Sequence, residues 1–287
     1  SALVLVQGPA GAGKSALVHE LLAPAGRLGA TVALGEFDPA ERDLPHAALL
    51  AALEPIVRRR LADPEPALVA WRAHLLATLG PVAALACDLI PALAALLGPQ
   101  PPVPELPPAE AAQRFHALML RLVRALAPPG RPFLLILDNL HHADDASLRL
   151  VARLLQPAEV PGLLVLACLR DDLPQPPALT RLLADLTAAD RPALVLPLAP
   201  LSPADTRALV AAALTWPSGQ AEALAEFLHA RADGNPLFTR ALLRWLHEQQ
   251  LLRLDLEAGA WRWDAERSAA ASPGDDVGAL LAGKLGE

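Results

Sequence analysis

Eight residues near the start of the chain, Gly8-Pro9-Ala10-Gly11-Ala12-Gly13-Lys14-Ser15, have the composition and spacing to hold a polyphosphate. A triphosphate carries several negative charges that must be approached without bulky side chains. Glycines at positions 8, 11 and 13 let backbone N–H groups turn inward around it. Lys14 is placed to neutralise the β and γ oxygens and the Ser15 hydroxyl to ligate magnesium, while Ala16 continues into a helix whose N-terminal dipole faces the phosphates. Lysine is otherwise nearly absent: Lys14 and Lys284 are the only two in the chain, the other basic residues being arginine. A lysine at this position is therefore hard to ascribe to background.

A second candidate is Asp138, which ends the apolar run Phe133-Leu134-Leu135-Ile136-Leu137. A carboxylate at the end of a buried strand suits the role of holding magnesium beside the serine of the loop. The next residue, Asn139, stands where an acid would polarise the attacking water, and an amide cannot act as a general base at neutral pH. Asp144 and Asp145 follow closely enough to substitute for it or to help bind metal, and they suit equally well the capping of a helix from Ala146. Arg170 follows another apolar run, Leu163 to Leu169, so in a parallel sheet it reaches the same edge. Contact with the γ-phosphate and an ion pair with Asp171 or Asp172 are both open to it. His141 and His142 are adjacent and diverge on any regular element, which makes them loop histidines rather than a metal pair.

The elements that must position these residues alternate. Ala2 to Val6, Thr31 to Phe37, Phe133 to Leu137, Leu163 to Leu169 and Ala193 to Leu198 read as strands, the most apolar of them buried on both faces, and helical patterns separate them. This predicts an α/β fold with a parallel sheet covered by helices. A helix is expected from Lys14 to about Leu22. Residues 46–127 read as an Ala/Leu-rich helical insertion, in whose last helix Phe115, Leu118, Met119, Leu122 and Leu126 share one face. After residue 199 only helices follow. Ser202-Pro203-Ala204-Asp205 starts one of them, and Asp233-Gly234-Asn235-Pro236 starts the last, with Phe238, Leu242, Trp245 and Leu246 as its apolar stripe. Residues 251–264 read as a short hairpin around Glu257-Ala258-Gly259. The predicted division is a core over 1–199, a helical lid over 200–251, and a hairpin with the start of a truncated region over 252–287.

The 287 residues carry a net charge of −7 and are 53% hydrophobic, enough for a large core. The charge is dispersed, and the densest basic run is Arg58-Arg59-Arg60, which argues against a nucleic-acid partner. No run of about 18 residues is free of proline and charge, so a membrane span is not expected. Cys87 and Cys168 lack metal-ligand or redox spacing and read as buried thiols in a reducing cytosol. The abrupt apolar start carries no signal-peptide pattern and suggests an excised fragment.

Gly8 to Ser15, Asp138, Arg170 and Gly234-Asn235-Pro236-Leu237-Phe238 together resemble the signal-transduction ATPases of the STAND group, a branch close to the AAA+ ATPases. Gly35-Glu36-Phe37-Asp38, Arg42-Asp43-Leu44-Pro45-His46, the Gly98 to Leu106 loop and Trp261-Arg262-Trp263-Asp264 are similar to one subgroup. That subgroup is the ATPase module of large bacterial proteins that join a serine/threonine kinase, this module and a sensor histidine kinase. The resemblance implies a P-loop fold with a five-stranded sheet in the order 5-1-4-3-2, a helical lid, ATP and Mg2+ as ligands, and Pro236 packed near the adenine. It also implies a slow cytoplasmic switch acting on flanking domains of the same polypeptide or through self-association. The family has two acids at the end of the third strand, whereas this chain has Asp138-Asn139. Two other functions fit the pattern: a nucleotide-bound scaffold without hydrolysis, and an origin-recognition-like DNA-handling ATPase, against which the acidic balance counts.

Overall fold

The computed structural model describes residues 1–41, 44–127, 130–156, 159–216, 221–255 and 259–271. The chain divides into two compact units. One comprises Ser1–Gln7 and Ser15–Leu196, the other Gly8–Lys14 and Pro197–Glu287.

The first unit begins with β1 (Ala2–Gln7), α1 (Lys14–Arg27) and β2 (Thr31–Glu36). The helix runs past Leu22, its expected end, and continues through Pro24, whose carbonyl still accepts from Leu28 N at 3.1 Å although its ring removes one N–H donor. Gly29, with φ +68°, then ends the run. The insertion follows as α2 (Ala47–Arg60), α3 (Glu65–Leu79), α4 (Ala83–Leu89), α5 (Pro91–Leu97) and α6 (Pro108–Leu126). The chain returns to the sheet with β3 (Phe133–Asp138), α7 (Asp145–Leu154), β4 (Leu163–Leu169), α8 (Pro177–Ala188) and β5 (Leu194–Pro197).

The five strands form one sheet in the order β2-β3-β4-β1-β5, which is the expected order read from the other edge. β1 pairs with β4, β4 with β3 and β3 with β2, all parallel. Interior strands of a parallel sheet are covered on both faces, so β3 is buried from Phe133 to Leu137 and β4 is buried over most of its length. β5, at the edge, is exposed throughout. The predicted apolar face of α6 is present: Leu118, Met119, Leu122 and Leu126 are in the core, and Phe115 packs against it.

The stretch Glu65–Leu89, 25 residues containing an 18-residue window of mean hydropathy 1.4, is long and apolar enough to cross a membrane by length and composition. Its path is broken by a 3-10 turn at Gly80–Val82, and Trp71, Leu75, Leu79, Val82 and Ala86 on it belong to the core of this unit.

The second unit holds the glycine-rich loop together with α9 (Pro203–Leu214), α10 (Glu222–Ala232), α11 (Pro236–Glu248), β6 (Leu252–Asp255), β7 (Ala260–Trp263) and α12 (Ala265–Ala270). Ser202 and Asp205 make the reciprocal capping box expected at the start of α9. Val210, Leu224, Leu228, Leu242, Trp245 and Leu246 form a separate small core, against which Phe238, Trp261 and Trp263 pack. β6 and β7 are antiparallel. Of the predicted turn, Glu257 and Ala258 lie outside the described residues, as do Arg42, Asp43 and the segment 272–287.

Two places in the first unit are tightly determined. A Cβ on Gly35 would stand 2.4 Å from the Ala48 carbonyl oxygen and 3.2 Å from Ala52 Cβ, so β2 meets α2 at a distance only glycine permits. His46, just ahead of α2, is buried with φ 67°; its N–H donates to Ser147 Oγ at 3.1 Å and its ring stacks on Phe115 at 4.7 Å. Its Nδ1 is buried without a hydrogen-bond partner. Burial pushes the His46 imidazole below its ordinary value of 6.5, and Asp144 opposes this while His116 and Arg149 add to it.

Gly35→Val is therefore expected to destabilise the fold by about 3 kcal/mol, measured by denaturant unfolding, because the obstacle is backbone and cannot rotate away. A histidine whose folded value is depressed binds its proton more readily when unfolded. Stability is thus complete above pH 6.5 and falls as the pH drops from there towards the lowered folded value. His46→Asn, which tolerates the left-handed backbone, is expected to flatten that loss in unfolding midpoints between about pH 7.5 and 5.5. Residual dependence of the same sign comes from His116, lowered by burial and by Arg149 and Arg153.

Candidate nucleotide-binding site

In the first unit the parallel register places Glu36 opposite Asp138 at the carboxyl ends of β2 and β3. Ser15 Oγ donates to Asp138 Oδ2 at 2.6 Å, joining the start of α1 to the end of β3. Asp138 Oδ1 accepts from Asn139 N at 2.8 Å. Asn139 itself is left-handed, with φ 54° and ψ 39°, a conformation asparagine tolerates. The turn sends the Asn139 side chain back towards β2, where Nδ2 donates to Glu36 Oε1 at 3.1 Å. Ser15, Asp138, Asn139 and Glu36 thus form one continuous hydrogen-bonded series.

The other predicted residues of this unit are engaged elsewhere. Asp144 is the N-cap of α7: Oδ1 accepts from Ser147 N at 2.8 Å and Oδ2 from Ser147 Oγ at 2.5 Å. Burial alone would raise its carboxyl, but the two Ser147 hydrogen bonds outweigh burial and hold it below the usual carboxylate range. Of the two roles open to Asp144, capping is the one the geometry adopts, and both oxygens are committed to it. Arg170 forms the ion pair, not with Asp171 but with Asp172: Nε donates to Oδ1 at 3.1 Å and Nη2 to Oδ2 at 2.8 Å. The Asp172 hydrogen bond raises the guanidinium further above neutrality. His141 is buried, and its Nδ1 accepts from Arg170 N at 3.4 Å. The two histidines lie on a short turn, and no cluster of three or more His, Cys, Asp or Glu suited to a metal occurs among the described residues.

In the second unit Gly11 and Gly13 have φ of +76° and +97°, the left-handed values expected of a loop whose amides turn inward. Lys14 is buried, and its Nζ donates to the carbonyls of Gly8 and Pro9, both at 2.8 Å. The start of α11 packs directly on this loop. Asn235 Nδ2 donates to Ala10 O at 2.9 Å, and Leu237 N donates to Gly11 O at 3.3 Å. Asn235 Oδ1 meanwhile caps α11, accepting from Leu237 N at 3.0 Å and Phe238 N at 3.3 Å. The approach is so close that a Cβ on Gly11 would stand 2.7 Å from Asn235 Oδ1. Gly234 is equally constrained, since a Cβ there would lie 2.4 Å from Leu201 O. Pro236 is the first residue of α11, where its missing N–H costs nothing.

Two participants went unassigned in the sequence. Glu36 ends β2 as Asp138 ends β3, and the repeated signature of an apolar strand closed by an acid could have revealed it. Asn235 stands in the segment that starts the last helix, but its contact with a loop 225 residues away is not a local signal.

A hybrid signal transduction histidine kinase G from Dictyostelium discoideum is 29% identical over 153 residues, which are 53% of this chain and 4% of that protein. The chain therefore spans a small fraction of that relative. Among solved structures, a STAND protein with a tetratricopeptide repeat sensor from Pyrococcus horikoshii shows 14% identity and a TM-score of 0.40, covering 88% of this chain and 30% of that one. The Aeropyrum pernix ORC1 protein in complex with DNA shows 16% identity and a TM-score of 0.44, covering 98% and 62%. At these scores neither structural likeness bears on function. The family described as AAA ATPase domain matches residues 1–166. Because that match runs from β1 through the glycine-rich loop and β3 into β4, over more than half of the chain, the protein belongs to the AAA ATPase domain family.

Proposed function

We propose that this chain binds ATP with Mg2+ on the loop Gly8 to Ser15 and hydrolyses it slowly, as the regulatory switch module of a cytoplasmic signal-transduction protein. The observation that carries the reading is the 2.6 Å bond between Ser15 Oγ and Asp138 Oδ2. A hydroxyl and a carboxylate from two distant segments converge there as a pair of hard oxygen donors, which is the chemistry Mg2+ selects. When bound, the ion would neutralise charge on the β and γ phosphates. The chain's own part is to present inward amides from residues 8–14, to supply the Lys14 ammonium, and to hold Ser15 and Asp138 in place for the metal. Membership in an ATPase family supports the reading. The relative in Dictyostelium, a hybrid histidine kinase of which this chain matches a small part, supports a module whose partners are flanking domains of one polypeptide. The dispersed net charge of −7 weighs against DNA.

Asn235 gives the switch a physical basis. A peptide unit has one carbonyl and one N–H on opposite sides, so holding the Ala10 carbonyl outward aims the Gly11 N–H inward, towards the phosphates. Asn235 does this while capping α11, and thereby joins the loop's geometry to the helix behind it.

In calorimetric titrations with ATP and ADP in the presence of Mg2+, Lys14→Ala is expected to weaken binding by about tenfold or more, as loss of a charge-assisted contact should. Unchanged affinity in that variant would remove the proposed site. Asn235→Asp separates the two roles of the asparagine, since aspartate still caps a helix but cannot donate to Ala10 O. Its melting temperature should stay close to that of the wild type while its nucleotide affinity falls about tenfold.

A further inference from the structure

A water molecule attacking phosphorus must lose a proton, and the residue after the metal-binding aspartate, Asn139, cannot take it. Asp144 gives both oxygens to Ser147, Asp145 lies in the first turn of α7, and Asp38 Oδ1 accepts from Ala40 N at 2.8 Å. Glu36 is the acid joined to the Ser15–Asp138 pair. Its Oε1 is held by Asn139 Nδ2 at 3.1 Å, and Asn139 is itself fixed by its N–H to Asp138 Oδ1 at 2.8 Å. Through Asp138 the same series reaches the Ser15 hydroxyl. Glu36 is exposed at the carboxyl edge of the sheet, so water reaches it. It also lines a small pocket with Asp38, His142 and Asp144 that leaves about 10 Å3, the space of roughly one water.

We propose that Glu36 is the proton acceptor for ATP hydrolysis, carried on β2 instead of β3, and that Asn139 is the residue that positions it. The inference rests on the hydrolytic reading given above. In the step itself, the water oxygen forms a bond to the γ phosphorus while one of its protons passes to the Glu36 carboxylate. The bond from the γ phosphorus to the bridging oxygen breaks, and its electron pair leaves on ADP. Glu36 then returns the proton to phosphate or solvent, so the enzyme is unchanged after one turnover. An amide at 139 fits this arrangement better than an acid, because a second carboxylate about 3 Å from Glu36 would repel it and favour protonation of one of the two.

The test combines three variants with two independent measurements, ATP affinity by titration and phosphate release under saturating ATP. Glu36→Gln is expected to lower kcat by about 100-fold while leaving ATP affinity and the unfolding midpoint near wild type. Asn139→Asp alone is expected to slow turnover, and the double variant Glu36→Gln, Asn139→Asp, which moves the carboxylate across the same hydrogen bond, is expected to recover much of the rate lost by Glu36→Gln. Unchanged turnover in Glu36→Gln, or loss of ATP binding in parallel with rate, overturns the assignment while leaving the nucleotide site standing. A wild-type protein that binds ATP but releases no phosphate overturns both the hydrolytic reading and this inference.

Discussion

The hydrogen bond between Ser15 and Asp138 links residues 123 positions apart, and much of the first unit can be understood as what is needed to make it. Ser15 has to open a helix directly after the loop, and Asp138 has to end a strand that is buried along its whole length. A strand with no water on either face can be placed only by its neighbours, here β2 and β4 in parallel register. The same register that delivers Asp138 also delivers Glu36. Parallel pairing therefore does more than shape the core: it sets two carboxylates side by side, and the left-handed turn at Asn139 ties them into one system.

The fold was legible in the sequence because the signals that specify it are local. Apolar runs of five or six residues bounded by glycine or acid mark interior strands, and the strand order followed once the resemblance was recognised. Some boundaries moved. α1 extends through Pro24 although that proline forfeits one donor, and its carbonyl still takes part in the ladder through Leu28 N. The apolar stretch spanning α3 and α4 is interrupted by Arg72 and the Gly80-Pro81 pair, although its hydropathy is high.

The site was legible only in part. A phosphate loop is written in consecutive residues and was read at once, whereas the partner of each side chain is a matter of tertiary placement. Asp144 and Arg170 each had two plausible roles from sequence, and nothing short of coordinates could show that Ser147 holds one and Asp172 the other. Glu36 and Asn235 escaped because their importance lies in what they touch. An asparagine before a helical proline looks complete as a cap, and its other half, the amide directed at the Ala10 carbonyl, has no sequence signature.

The helical insertion begins at Ala47, beyond the strand that ends in Glu36, and the chain returns to the sheet with the strand that ends in Asp138. At the near end, Gly35 lets α2 rest against the backbone of β2, with no side chain between them to absorb displacement. At the same end, the His46 N–H and Ser147 Oγ tie the entry to α2 to α7. The insertion is thereby seated on the strand that carries Glu36, and a displacement of α2 would pass directly into the backbone of β2.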